Sequence, residues 1–165
     1  MFKSLFTLLA VASLTVLSAE AKSFKLPAAR GAVATIAFPD DWKVEAIEGG
    51  HGGNSADEHV YLSAVVVKDE TDMNASLESV FEMLKEHNVE LDETSKKETK
   101  FDHYGTEASE LTFSGKDKDG PTTVSIAFVP MNGNLVILTY WVTTAEEEKH
   151  QVTVGKIVNS LKPVK

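Results

Sequence analysis

Between Glu107 and Trp141 the apolar and polar residues fall into three strand-like runs separated by tight turns. Thr122 to Val129 alternates Val124, Ile126 and Phe128 with Thr123, Ser125 and Ala127, the period of two that sends one set to each face of a sheet. Met131-Asn132-Gly133-Asn134 follows as a hairpin turn, because Asn-Gly accepts the positive φ that a type I′ turn needs at both central positions. The returning run, Leu135 to Val142, shows no alternation. A strand apolar on both sides is one covered on both faces. The pattern therefore predicts an antiparallel meander with Leu135 to Val142 at its centre, one layer above it and another below.

The remaining elements are read in the same way. Ala32 to Phe38 is a strand, Pro39-Asp40-Asp41-Trp42 a turn with φ preset by proline, and Lys43 to Ile47 the hairpin partner. Trp42, a large aromatic beside a turn, is expected to close one end of the core. Glu48 to Glu58 carries four glycines and almost nothing apolar, which predicts a mobile loop that can be shortened without loss of the fold. Val60 to Val67 is a buried strand. Leu77, Val80, Phe81 and Leu84 fall at i, i+3, i+4 and i+7, the stripe of an amphipathic helix that Asn74 or Ser76 can cap. Leu91 to Lys100 is a polar edge strand whose charges discourage pairing with another molecule. Phe101 to Gly105 turns the chain into the meander, and Gly115 to Pro121 joins its first two strands. A last helix opens on a capping box of Thr144 and Glu147, presents Val154, Ile157, Val158 and Leu161, and stops at Pro163.

The start of the chain adds an address. Lys3 precedes an apolar run from Leu5 to Leu17, and Ala19-Glu20-Ala21 offers small residues for signal peptidase. The run is shorter than the roughly 20 residues that span a bilayer. Residues 1–21 are therefore expected to be a cleaved secretory signal, leaving residues 22–165 as a single domain with no membrane span. With no cysteine there is no disulfide, thiol chemistry or lipid-attachment thiol. The formal net charge is −9, and lysines interleave with acidic residues, as in Lys116-Asp117-Lys118-Asp119. Nucleic acid, which is held by clustered cations, is excluded as an expected partner. The expected location is periplasmic or secreted.

The order of elements resembles that of the PsbP-like superfamily. The matching stretches are Phe38-Pro39-Asp40-Asp41-Trp42 and the Tyr104-Gly105 turn that enters the strand running to Leu111. Members of the superfamily include PsbP, an extrinsic subunit of photosystem II, a Ran-binding nuclear protein of the Mog type, and DcrB-type periplasmic proteins. The resemblance implies an α+β fold, an antiparallel β-sheet with helices packed on both faces in an α/β/α sandwich, used for noncatalytic docking. The absent lipid-attachment cysteine departs from the lipoprotein members.

Chemistry is sparse. His51-Gly52-Gly53-Asn54 is similar to an esterase oxyanion loop, but no Gly-x-Ser-x-Gly elbow presents a nucleophile. No Walker or dinucleotide glycine pattern is present, and Gly115 to Ile126 lacks the first and last carboxylates of a calcium loop. His51, Asp57, Glu58 and His59 place two imidazoles and two carboxylates within nine residues, a donor set suited to zinc, copper or manganese, with His51 and His59 the candidate metal ligands. Together with Tyr61 they form the candidate binding site. Glu146, Glu147 and His150 on the last helix are accounted for as a solvated face with helix-spaced charges. The expected function is that of an exported, noncatalytic binding or accessory protein without a resident cofactor, in contact with an envelope protein or a small ligand. A metal-binding protein or small hydrolase is the alternative.

Overall fold

A computed structural model describes residues 20–28, 31–68 and 70–165. Residues 1–21, the expected signal, lie outside the described residues except for Glu20 and Ala21, and Ala21 opens the first strand. The elements in chain order are β1 (Ala21–Leu26), β2 (Ala34–Pro39), β3 (Lys43–Ile47), β4 (Gly50–Asn54), β5 (Val60–Val67), α1 (Glu70–Glu86), β6 (Glu90–His103), β7 (Thr106–Asp117), β8 (Gly120–Met131), β9 (Asn134–Thr143), a 3-10 turn (Thr144–Glu146), α2 (Glu147–Ser160) and β10 (Lys162–Pro163). Seven strands form an antiparallel sheet in the order β3-β4-β5-β9-β8-β7-β6, and β1, β2 and β10 form a second, smaller one. The fold is mostly antiparallel sheet with two helices.

The meander appears as its alternation predicts. β9 occupies the middle of the large sheet, between β5 and β8. Asn132 and Gly133 both have positive φ, 50° and 73°, as a type I′ turn requires. β6 is the edge strand expected from its charges. Side chains of β9 divide between two clusters. Val136, Leu138 and Val142 join Leu62, Ala64, Ala127, Val129, the small sheet, Ile157 of α2 and Leu161 just beyond it. Ile137 joins Val124, Ile126, Phe113 and the α1 residues Val80 and Leu84. Trp42, also buried, closes against Phe38 with ring centroids 5.8 Å apart.

Five local expectations are corrected. The segments Ala34–Pro39 and Lys43–Ile47 do not form a hairpin: β2 pairs with β1 and β10, whereas β3 pairs with β4 in the other sheet. The glycine segment is no loop but β4, hydrogen-bonded on both sides and largely buried. A Cβ on Gly50 would strike the Ala64 carbonyl, and one on Gly52 would strike the Tyr61 hydroxyl. A Cβ on Gly53 would lie 3.0 Å from Val44 Cγ2 and 3.4 Å from the Phe38 ring. Neighbouring side chains supply the bulk that β4 lacks, so its composition reads as loop while its environment is core. α1 begins at Glu70, so Asn74 and Ser76 lie within it rather than at its cap, and Phe81 from its predicted stripe is 37% exposed. The last helix has no capping box: a 3-10 turn precedes α2, whose N-cap residue Glu146 makes no side-chain capping bond, while Glu147 accepts a hydrogen bond from Thr123 at 3.1 Å.

Candidate functional site

The connection from β4 to β5 is a tight turn built around Ser55 and Asp57. Ser55 and Val60 exchange backbone contact through a 2.8 Å bond from the Ser55 N–H to the Val60 carbonyl, and Glu58 takes a positive φ of 62° to reverse the chain. The Ser55 hydroxyl donates to Asp57 Oδ1 at 2.7 Å, and the His59 amide reaches the same oxygen at 3.4 Å. These local bonds fix the Asp57 carboxylate and leave Oδ2 facing α2.

From α2, Lys149 Nζ donates to Asp57 Oδ2 at 2.7 Å and lies 3.3 Å from Glu146 Oε2. His150 Nε2 lies 3.0 Å from the same Asp57 oxygen, close enough for an ion pair but not aligned for a hydrogen bond. Burial opposes ionisation of Asp57, but the bonds from Lys149, Ser55 and the His59 amide outweigh it and hold the carboxyl well below its usual range. The bonds to Asp57 and Glu146 raise the affinity of Lys149 for its proton in return. His150 is only 9% exposed although it belongs to a mainly polar helix. Its position explains this: His150 precedes Val154 and Ile157 on the inward stripe of α2.

Two depressions meet at His150. One, of about 320 Å³, is lined by Pro39, Trp42, Ser55, Asp57, Lys149 and Thr153 as well as His150. The other, of about 260 Å³, runs along α2 between Val154, Val158 and Asn159 and the strand residues Tyr140 and Val142. At its rim the Tyr140 hydroxyl is pushed up to about 12, by burial first and then by the nearby charges of Glu110 and Glu147. Ser125 donates a hydrogen bond to Glu110, so this part of the sheet face is polar and acidic.

Of the candidate binding residues His51, Asp57, Glu58, His59 and Tyr61, only Asp57 contributes its side chain to this arrangement. His51 lies in β4 on the face that packs against β1, its ring 4.9 Å from that of Phe24, and burial holds its basicity down. Glu58 turns away to pair with Lys43 at 3.0 Å. His59 Nδ1 lies 3.5 Å from the Thr143 hydroxyl. Tyr61 lies on the opposite sheet face, stacked on Trp141 at 4.3 Å, where burial raises the pKa of its hydroxyl. The structure thus does not gather His51 and His59 around Asp57. It brings Glu146 and His150 there instead, the helix residues that sequence spacing alone assigns to a solvated face. The one available signal was that His150 continues the apolar stripe of α2 by one turn.

No protein-family model matches the chain, and a search of curated proteins finds no match either. Solved structures do match. The cyanobacterial PsbP protein CyanoP of Synechocystis superposes with a TM-score of 0.57 over 91% of this chain and 96% of its own, at 13% identity. LpqN of Mycobacterium tuberculosis, a protein involved in cell envelope biogenesis, gives 0.50 over 88% of this chain and 92% of its own, at 14% identity. The Ran-binding protein Mog1p of Saccharomyces cerevisiae gives 0.48 over 88% and 96%, at 12% identity. The chain shares its fold with CyanoP and LpqN. At these identities the likeness establishes fold alone.

Proposed function

We propose that this chain is an exported, noncatalytic binding or accessory protein of the cell envelope, in which α1 and α2 cover opposite faces of the large sheet and the groove beside α2 receives a protein segment or small ligand. The observation that carries the reading is the make-up of that groove. Val142, Val154 and Val158 supply an apolar floor, while Tyr140, Glu147, Gln151 and Asn159 supply polar groups at its walls. An apolar surface with a few directed polar groups is what recognition uses. Gly155 also lines the groove, and a Cβ there would meet nothing within 4 Å, so the helix is open to an approaching partner. The envelope assignment is supported by the apolar run from Leu5 to Leu17 and by the fold shared with LpqN.

A photo-crosslinking amino acid at Gln151, expressed in the source organism, tests the reading against the same probe at Glu93 on the edge strand. A discrete adduct is expected from Gln151 alone and should disappear when Gly155→Trp fills the groove. Equal adducts from both positions, or adducts indifferent to the tryptophan, would remove the groove as the docking surface.

A further inference from the structure

We propose that Asp57, Glu146 and His150 bind one divalent transition-metal ion of the zinc type. Each offers one ligand atom, and the three atoms all lie within 4.8 Å of one another. Ligands on a tetrahedral zinc stand roughly 3.3 Å apart, given bonds of about 2.0 Å. His150 Nε2 and Asp57 Oδ2 are already 3.0 Å apart, and the Glu146 carboxylate lies within 4.8 Å of both. One imidazole with two carboxylates is a donor set for zinc and its neighbours, with a coordination position left for water or a ligand.

The independent indication is the imidazole. His150 is 9% exposed, and its Nε2 has no hydrogen-bond partner. A buried ring nitrogen that lies 3.0 Å from Asp57 Oδ2 without forming a hydrogen bond is poorly satisfied as it stands, and a cation between the three groups satisfies all of them. The carboxylate is preoriented, since Asp57 Oδ1 is held by the Ser55 hydroxyl at 2.7 Å and only Oδ2 faces the cluster.

Lys149 Nζ occupies the cation's place, 2.7 Å from Asp57 and 3.3 Å from Glu146. Its side chain is 61% exposed, so it can swing into solvent, and an exposed ion pair of this kind costs little to break. Metal binding would exchange one cation for another of higher charge. The site shares His150 with the α2 groove but does not depend on it, because metal binding and partner capture are separate readouts.

The test is calorimetric titration of zinc chloride into the whole chain, produced without a polyhistidine tag. Saturable binding of one ion per chain is expected. Glu146→Gln and His150→Asn should each weaken it about tenfold or more, Lys149→Met should leave it equal or tighter, and His59→Gln should leave it unchanged. Glu146 is on the rim, so its variant reports on binding even if the histidine variant fails to fold. Nitrogen-detected NMR supplies a second measurement: zinc should shift Nε2 of His150 and leave the His51 and His59 rings in place. Absence of stoichiometric binding, binding indifferent to Glu146→Gln and His150→Asn, binding abolished by Lys149→Met, or a zinc shift confined to the other histidines would overturn the site.

Discussion

Lys149 Nζ and Asp57 Oδ2 stand 2.7 Å apart across 92 positions of sequence, tying the last helix to the turn between β4 and β5. The pair makes a definite statement about pH. Asp57 has a folded-state pKa below its unfolded value of 3.8, so its contribution to stability is complete above that value and is lost as pH falls through the folded-state value. Asp57→Asn should lower stability at neutral pH by about 1 kcal/mol, a modest figure because both partners retain solvent contact. The difference from wild type in urea midpoint should be constant from neutral pH to about pH 5 and shrink below about pH 4. A difference that grows on acidification would contradict the assignment.

The glycines of β4 should be intolerant in proportion to their surroundings. Gly50→Ala drives a methyl into the Ala64 carbonyl, a backbone atom with little room to move, and should cost on the order of 3 kcal/mol. Gly155→Ala in α2 meets open space and should be stabilising by about 0.5–1 kcal/mol, since alanine is the better helix former. Thermal melts of the two variants test the contrast. Removing residues 49–56 deletes β4 itself and should unfold the protein, contrary to the expectation for a tolerated loop.

Asn132 does more than turn a hairpin. Its side-chain amide donates to the carbonyls of Val33 at 3.0 Å and Val164 at 3.1 Å, fastening the β8–β9 turn to the flanks of the small sheet. Asn132→Gly keeps the positive φ and loses both bonds, and should cost about 1–2 kcal/mol in a chemical melt. Replacing Asn132-Gly133 with Val-Val should cost more, because β-branched residues are strained at positive φ.

Two apolar helix residues that look equivalent in sequence should behave differently. Ile157, 1% exposed, packs in the cluster with Leu138 and Val142, and Ile157→Asp should destabilise by about 4 kcal/mol or more by burying a charge. Phe81 is 37% exposed, so Phe81→Asp should change stability by no more than about 1 kcal/mol. Denaturation midpoints compare them directly, and equal large losses would mean that Phe81 is buried in solution.

Local patterns carried what depends on neighbours in sequence. The alternation in Thr122 to Val129, the Asn132-Gly133 turn, the unalternating run that became β9, and the spacing of Ile157 and Leu161 each report which side of one element is buried, and a residue's nearest chain neighbours decide that. Pairing and convergence are decided otherwise. Pro39 to Trp42 has the chemistry of a turn whether the flanking strands pair or part, and here β2 and β3 part into two sheets. The glycines of β4 hold a strand because Tyr61, Phe38 and Val44 fill the space around them, which no property of Gly50-His51-Gly52-Gly53 records. His51 and Asp57 are six positions apart, a nearness that suggests one site, but the strand sets His51 against Phe24 while the turn sends Asp57 to α2. The partners of Asp57 come from a helix at the far end of the chain. Only the folding of that helix onto the sheet brings Glu146, Lys149 and His150 to it, because a charge cluster is defined by distance in space, and distance along the chain does not determine it.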